Sequence, residues 1–272
     1  KNGARIFYVM PYNSRYSQLK ENEILKLNQN SITYIKKYSD TIAIVSDPIH
    51  GPSSLSVEFG HSAIESGVDI FASIVREKFF SVSQICNHYD ILANYLDVPL
   101  LVHEMPFLSG YDSKNMNWPI ELFSELSKIE KIIAIKEDAK DIDYAIKLLE
   151  FEPRFRFIFA GRKRFFYNLR KYNLKAYLNS ISMIDPTYAF DFWYLFKNGD
   201  DNTLDVFLKK FDDQFWDVLV KNYGWHRVNK SILELSGFMN RRERSPLEAL
   251  PEHEIKVLKK WYDSFINNRI ID

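Results

Sequence analysis

Short apolar segments alternate with amphipathic segments through residues 4–182, and this alternation constrains the fold more than any other feature of the sequence. Seven segments rich in β-branched and aromatic residues have the length of buried strands. They are residues 4–10, 41–47, 68–75, 98–106, 132–138, 155–161 and 174–182. The intervening segments have helical periodicity: residues 17–38, 55–66, 81–95, 118–128, 141–150 and 163–172. Strands that alternate with helices pair in parallel through right-handed crossovers, so the sequence predicts an α/β fold.

The repeat favours a barrel over an open sheet. Seven β/α units at spacings of roughly twenty to thirty-five residues fit a (β/α)8 TIM barrel. An open doubly wound sheet usually has a glycine-rich turn after its first strand, whereas Pro-Tyr-Asn-Ser-Arg stands here at residues 11–15. From residue 186 onward the pattern is helical and aromatic. We therefore expect a barrel over residues 1–185 and a helical extension over residues 186–272, packed on the barrel or on another subunit.

Charge and cysteine content restrict the partners and the location. The 36 basic residues balance 36 acidic ones, so no global field points to nucleic acid or an anionic membrane. Cys86 is the single cysteine, which rules out an intrachain disulfide and fits a reducing cytoplasm. No apolar run spans a bilayer, and no secretory signal precedes the first strand. We expect a cytoplasmic protein that binds neither nucleic acid nor membrane.

One predicted strand ends in a lysine that is a candidate catalytic residue. The segment Lys-Ile-Ile-Ala-Ile-Lys-Glu-Asp places Lys136 at the carboxyl end of the fifth strand, where barrel enzymes carry catalytic groups. A desolvated amine is favoured in its neutral form, which can form a Schiff base with a carbonyl. The alternative from this segment alone is a lysine that reaches solvent past the strand end.

A histidine stands near the end of the preceding strand. His103 lies in Val-Pro-Leu-Leu-Val-His-Glu-Met-Pro, and strand alternation puts His103 and Glu104 on opposite faces. If Lys136 points into the barrel mouth, His103 on the preceding strand lies within reach and can move protons near neutral pH.

At these residues the chain resembles the dihydrodipicolinate synthase and N-acetylneuraminate lyase family of class I aldolases. Residues 98–112 resemble the family's strand with a Tyr-Asn-x-Pro motif, and residues 132–138 resemble its Gly-Ile-Lys-Glu strand. The order of three further segments also matches the family. Residues 79–92 resemble the helix after the aromatic loop of its lyase branch, residues 157–163 the strand after the lysine strand, and residues 224–237 its C-terminal helix. The resemblance implies a (β/α)8 barrel with C-terminal helices that forms a homo-oligomer, a dimer or a tetramer. It also implies that the family's first β/α unit is absent from this chain, whether removed or never present.

The resemblance assigns roles to individual residues. Lys136 matches the Schiff-base lysine, and His103 stands where the family has its proton-shuttling tyrosine. The predicted substrate-binding set consists of Tyr12, Asn13, Ser14, Arg15, Arg162 and Leu178. Residues 11–15 match the carboxylate-binding loop but lack its glycines, and Arg15 can supply a charged replacement. Neither a metal nor a cofactor is implied.

The altered residues leave the substrate open. Basic residues at Arg15, Arg76, Lys78 and Arg162 favour a more anionic substrate, or they pair with Glu77 and Glu104. The leading hypothesis is a lyase that joins a 2-keto acid such as pyruvate to Lys136 and makes or breaks a C–C bond. A second hypothesis is a divergent, non-catalytic member that binds a ligand or has a regulatory role. A third is a metal-dependent barrel hydrolase using Asp47, His50, His103 and Glu104, although no metal-binding motif is present.

Overall fold

Seven parallel strands form one sheet in the order of the sequence. The computed structural model describes residues 3–75, 80–105, 117–138, 141–172, 174–179, 181–183 and 185–267. The strands are β1 (Ile6–Val9), β2 (Ile42–Ser46), β3 (Ile70–Ile74), β4 (Leu100–His103), β5 (Ile132–Glu137), β6 (Arg156–Ala160) and β7 (Tyr177–Leu178). The predicted α/β class with parallel pairing in chain order is confirmed, since each strand bonds its neighbour in sequence.

Helices connect the strands and continue after them. They are α1 (Glu21–Ile35), α2 (Ser53–Glu65), α3 (Val82–Tyr95), α4 (Ile120–Leu126), α5 (Ile142–Leu148), α6 (Lys163–Leu169), α7 (Pro186–Asn198), α8 (Asp201–Phe207), α9 (Lys221–Tyr223), α10 (Trp225–Leu235) and α11 (Glu252–Asn267). Two π-helical segments, Leu208–Asp212 and Gln214–Val220, lie between α8 and α9. Short 3₁₀ turns occupy Tyr16–Gln18, Leu149–Phe151, Arg170–Tyr172 and Ile181–Met183. No helix in these described ranges is long and apolar enough to cross a membrane.

The described residues divide into two compact units. The first comprises residues 3–160 and 172–178 and contains the whole sheet with α1 to α5. The second comprises residues 161–171 and the chain from Asn179 onward. The predicted boundary after residue 185 stays a prediction.

Both faces of the central strands in the first unit are buried, as is usual for parallel sheets. All four residues of β4 and four of five in β2 and β3 are buried. One face carries an apolar layer contributed by successive strands: Ile44, Ala72, Leu101 and Ala134, with Tyr8 and Ile158 packed against it. We call this the inner face, and the face toward α2, α3 and α5 the outer face. Side chains alternate between the two, so His103 and Lys136 continue the inner layer.

The second unit has an aromatic core. Tyr188 of α7 stacks on Phe207 of α8 with ring centroids 4.7 Å apart. Phe211 of the first π-helical segment meets Phe265 of α11 edge to face at 5.0 Å. Aromatic pairs in these geometries stabilise a core beyond the area that they bury.

Candidate active site

Lys136 is fully buried at the end of β5. Its Nζ lies 2.8 Å from His103 Nε2 and donates to Asp138 Oδ2 at 2.9 Å. Asp138 is on the same strand-to-loop segment two residues later, so its carboxylate follows Lys136 on the inner face. Burial favours the neutral amine, whereas the carboxylate favours the ammonium. Burial and the Asp138 carboxylate therefore act on the Lys136 amine in opposite directions.

His103 is brought to Lys136 by the register of two adjacent strands. The two residues are direct partners in the β4–β5 pairing. His103 is also fully buried, and burial lowers its pKa well below the usual value. The Lys136 charge lowers this pKa further, with Asp138 acting in the opposite direction. The imidazole is therefore neutral near pH 7.

Tyr8 is the hydrogen-bond partner of the other ring nitrogen of His103, and it was not among the site residues predicted from the sequence. Its hydroxyl lies 2.9 Å from His103 Nδ1 and 3.4 Å from Ser46 Oγ. Burial raises the pKa of Tyr8 well above its usual value, so the phenol stays protonated. The chain Tyr8–His103–Lys136–Asp138 is thus a continuous hydrogen-bonded row that we call the inner-face relay.

The curl of the sheet produces this contact. Tyr8 lies on β1 and His103 on β4, three strand intervals away. Neighbouring strands are about 4.8 Å apart, so these two would be about 14 Å apart in a flat sheet. The side chains meet because the sheet bends toward its inner face. The signal in the sequence was only that Tyr8, a polar-tipped residue, falls on the apolar inner phase of β1.

The predicted carboxylate loop follows β1 at the same end of the sheet. Residues 11–15 form tight turns, with Ser14 N donating to Met10 O at 3.0 Å and Arg15 in the left-handed region at φ 57°. Burial raises the pKa of Tyr12, and Asp138 adds to that rise while Arg15 opposes it. Asp138 therefore acts electrostatically on the loop, and the first unit brings the loop toward the inner-face relay.

Glu104 points away from Lys136, onto the outer face. Its Oε1 accepts hydrogen bonds from the Trp118 N–H at 3.2 Å and the Tyr144 hydroxyl at 3.1 Å. Burial raises the pKa of this carboxyl to about 7, although both hydrogen bonds lower it. Glu104 is therefore a buried titratable group on the outer face, immediately after β4, which carries His103 on its inner face.

The two remaining predicted binding residues lie in different units. Leu178 ends β7 in the first unit, is half-buried and pairs with Ala160. Arg162 belongs to the second unit, where its guanidinium donates to Asp213 at 2.8 Å and to Asp217 at 2.9 Å. Arg162 is therefore ion-paired with Asp213 and Asp217, neither of which is among the predicted partners Glu77 and Glu104, and its role in substrate binding stays a prediction.

Three of the residues that bear on the altered charge, Arg76, Glu77 and Lys78, lie outside the described residues, as do residues 106–112 of the Tyr-Asn-x-Pro-like segment. The metal hypothesis has no support from the part of the chain that is described, because no group of three potential ligands occurs in it. His50 instead pairs with Glu21 at 3.2 Å.

The second unit contains another buried lysine that sequence reasoning did not single out. Lys163 is 1% exposed, and burial lowers its pKa to about 8 while Asp212, with its Oδ1 4.0 Å from Nζ, opposes the shift. Its position immediately after Arg162 gave the sequence no distinguishing pattern, because basic residues occupy 162–164 in succession.

Comparison with known proteins gives consistent results. The model of the dihydrodipicolinate synthetase family matches residues 50–263. The N-acetylneuraminate lyase of Clostridium perfringens strain SM101 is 24% identical over 206 residues, which cover 75% of this chain and 69% of that protein.

Solved structures share the fold at low sequence identity. The N-acetylneuraminate lyase of Mycoplasma synoviae superposes with a TM-score of 0.80 at 17% identity, covering 97% of this chain and 86% of that one. The prophage protein YagE of E. coli K12, solved in complex with pyruvate, gives a TM-score of 0.79 at 15% identity, covering 97% and 88%.

Proposed function

This chain belongs to the dihydrodipicolinate synthetase family and is a lyase of the class I aldolase type, and we propose that Lys136 forms its Schiff base with a 2-keto acid such as pyruvate. The observation that carries the assignment is the fully buried Nζ in contact with a neutral imidazole and a carboxylate. These contacts supply an amine nucleophile with both a proton acceptor and a counter-charge.

Imine formation requires one proton movement at Nζ and another at the keto oxygen. The neutral amine attacks the keto carbon, and the resulting carbinolamine loses its hydroxyl as water. One proton must leave nitrogen and another must reach the departing oxygen. The iminium then loses a proton from the neighbouring α-carbon to give an enamine, whose α-carbon forms the new C–C bond. In the reverse direction the bond between the α- and β-carbons breaks, and the iminium accepts its electron pair. His103, 2.8 Å from Nζ, is within direct reach for the proton transfers at nitrogen.

Tyr8 extends this relay. When Lys136 is an ammonium it donates to Nε2, so His103 donates from Nδ1 to the Tyr8 oxygen. When Lys136 is neutral and accepts from Nε2–H, the Tyr8 hydroxyl donates to Nδ1 instead. A proton can therefore pass from Nζ through His103 to the Tyr8 oxygen as the phenol gives its own proton to the departing substrate oxygen, and His103 starts and ends neutral. Tyr8 supplies the phenol that the substitution of histidine at position 103 removed from β4.

The proposed substrate contacts lie at the carboxyl ends of the strands. Tyr12, Asn13 and Ser14 offer hydrogen-bond donors, and Arg15 offers a charge for the keto acid's carboxylate. Arg162 and Leu178 are proposed to contact the remainder of the substrate. Replacement of Arg15 by alanine is expected to raise KM more than it lowers kcat, because a carboxylate contact is present in ground and transition states alike.

Borohydride trapping tests the assignment. Treatment with pyruvate and borohydride is expected to add one reduced adduct per chain, mapped to Lys136 by peptide mass analysis. Lys136→Ala should abolish the adduct, whereas Lys131→Ala, at the other end of the same segment, should keep it. Absence of trapping with pyruvate and with a panel of other 2-keto acids contradicts the proposal. Stabilisation by pyruvate without trapping would support the non-catalytic alternative.

The finer features of the architecture belong to the same proposal. We propose that the seven strands are part of an eight-stranded barrel with a C-terminal helical region, that the protein forms a homo-oligomer, dimer or tetramer, and that it acts in the cytoplasm. Ile6 on β1 is 62% exposed, which leaves an apolar side chain on an edge strand that another strand would cover.

A further inference from the structure

A second row of polar groups lies on the outer face of the same sheet. Ser53 Oγ is 2.8 Å from His88 Nδ1, and His88 Nε2 is 2.8 Å from Ser73 Oγ. The Ser73 hydroxyl donates to Asp47 Oδ2 at 2.6 Å. Ser53 begins α2 and His88 lies on α3, while Ser73 belongs to β3 and Asp47 follows β2. The row shares no residue with the inner-face relay.

The hydrogen bonds determine the tautomer of His88. Ser73 has one hydroxyl proton, and that proton goes to Asp47. The bond between Ser73 and His88 must therefore be donated by Nε2–H, which leaves Nδ1 as an acceptor. The Ser53 hydroxyl consequently donates to Nδ1. Every bond in the row runs in one direction, from Ser53 toward a carboxylate that is 0% exposed.

The row is rigidly held. Ser73, His88 and Asp47 are buried, and the Tyr89 hydroxyl donates to Ser73 O at 2.9 Å. The His88 ring packs edge to face on Tyr89 at 5.0 Å. A serine hydroxyl bonded to a histidine that is itself oriented by a third group is the arrangement that activates a serine nucleophile.

Ser53 and His88 line a cavity of about 610 Å³, which is within the range of small-molecule sites. Ile74, Val75 and Phe80 form part of an apolar wall, and the amides of Gln84 and Asn87 add hydrogen-bonding groups. Ser53 is also the first residue of the 13-residue α2. The N-terminus of a helix offers backbone N–H groups and partial positive charge to an oxyanion formed beside it.

We propose that Ser53 is the nucleophile of a second site that hydrolyses small esters by acyl transfer. Ser53 Oγ attacks the ester carbonyl carbon, and its proton moves to His88 Nδ1. Collapse of the tetrahedral intermediate breaks the bond to the alcohol oxygen, which leaves with the proton from His88. Water then attacks the acyl group on Ser53, with His88 again taking and returning a proton. The balance is ester and water in, carboxylic acid and alcohol out.

The lining residues that the structure describes favour an uncharged substrate. Among the described residues that line the cavity, none carries a carboxylate, an ammonium or a guanidinium. His50 is the other titratable group there, and it faces Glu21. An ester of a short acyl chain with a neutral alcohol fits both the volume and the mixed apolar and amide lining. Ser73 and Asp47 act through His88 and are positioning residues.

A fluorophosphonate probe and p-nitrophenyl acetate test the proposal on the full chain. The probe phosphonylates activated serines with loss of fluoride. We expect one adduct per chain at Ser53, together with saturable hydrolysis of p-nitrophenyl acetate. Ser53→Ala should lose both. Ser54→Ala, which changes the exposed neighbouring serine, should retain both. His88→Gln should lower the labelling rate by about 100-fold or more, the usual effect of losing a general base.

The positioning role has a separate readout. Ser73→Ala is expected to move the pH at which the labelling rate is half-maximal, because His88 loses the acceptor that fixes its tautomer. A purely structural role would reduce the folded fraction, measured by circular dichroism, and leave that pH unchanged. Labelling at another residue, or wild-type hydrolysis by folded Ser53→Ala, overturns the proposal.

Discussion

The two ring nitrogens of His103 have different partners, Lys136 at Nε2 and Tyr8 at Nδ1. Because burial keeps this imidazole neutral, it can pass a proton only by accepting at one nitrogen while donating at the other. A single buried histidine therefore connects a phenol on β1 to an amine on β5. A side chain without ring nitrogens at position 103 would therefore break the hydrogen-bonded connection between Tyr8 and Lys136.

Tyr8→Phe tests the phenol directly. We expect the exchange of pyruvate methyl protons with deuterated water, followed by proton NMR, to slow by about 100-fold, the usual contribution of a general acid or base. Trapping by borohydride should persist, because Lys136 remains. Tyr34→Phe, which alters a tyrosine that is 61% exposed, serves as the control. An unchanged exchange rate in Tyr8→Phe would show that the phenol takes no part.

Glu104 makes the free energy of unfolding depend on pH. Its pKa is raised to about 7 in the folded protein, against about 4.3 in an unfolded chain. Between these values the native state holds a proton that the unfolded state has released, so stability falls as pH rises through this window. The contribution is complete below about pH 4 and is lost by about pH 7.

Glu104→Gln should remove this dependence. The glutamine oxygen can still accept from Trp118 and Tyr144, and the side chain stays neutral at every pH. We expect wild-type Tm to fall more between pH 5 and pH 8 than the Tm of the variant, measured by calorimetry. Glu121→Gln, on the exposed side of α4, should follow the wild type. Parallel Tm curves for wild type and Glu104→Gln would contradict the shift.

At the level of elements, one arginine fixes the start of the strand that carries Lys136. Arg154 donates to the backbone oxygens of Ser127 at 2.8 Å, Ile129 at 2.6 Å and Ile132 at 2.7 Å. These oxygens belong to the end of α4, the following loop and the first residue of β5. The guanidinium therefore anchors the start of β5, ahead of the shift in the β4–β5 pairing between Leu100 and Leu101.

Arg154→Ala is expected to lower the free energy of unfolding by about 2–3 kcal/mol, because charge-assisted hydrogen bonds to partly buried carbonyls are lost. Arg156→Ala is the matched control, since it removes an exposed pair with Glu152 that is worth less than about 1 kcal/mol. Urea unfolding measures both. Equal effects of the two substitutions would mean that the backbone contacts of Arg154 contribute little.

Local patterns predicted most strands closely and one poorly. The segment 174–182 predicted a nine-residue strand, but β7 is only Tyr177–Leu178 and Ile181–Met183 form a 3₁₀ turn. Ser182 Oγ donates to Asn179 O at 2.7 Å, a side-chain bond to the backbone that favours a turn over a strand. The apolar content of this segment predicted a strand because it carries no information about the side-chain hydrogen bond that favours the turn.

At the level of the whole molecule, exposed aromatic side chains on α7 support the proposed oligomer. Phe190 and Tyr194 are four residues apart, so they share one face of the helix, and they are 44% and 62% exposed. Such a pair on a solvent-facing helix is more typical of an interface than of a free surface.

Tyr194→Glu should therefore shift the sedimentation coefficient toward that of a smaller species, because a charge is costly in an apolar contact. Tyr34→Glu, which makes the same change at a tyrosine of α1 that is 61% exposed, is the control and should sediment as the wild type does. A wild-type protein that sediments as a monomer at all concentrations would contradict the oligomer itself, and an unaffected Tyr194→Glu would move the interface elsewhere.

The sequence by itself determined the alternation of strands and helices, the parallel order of the sheet and the place of Lys136 at the end of a buried strand. These follow from short-range periodicity, since the spacing of apolar residues along a segment records which face is buried. Family resemblance added the expected chemistry of that lysine and the position of His103.

Only the tertiary structure decided which groups meet. Tyr8 reaches His103 because the sheet curls across four strands, and Ser53, His88, Ser73 and Asp47 align because two helices pack on one edge of its outer face. Such contacts join residues 15 to 95 positions apart, and no local pattern encodes the bend and packing that close those distances. The lysine's position was therefore set by its own strand, and the phenol of Tyr8 at the far end of its proton relay was set by the fold.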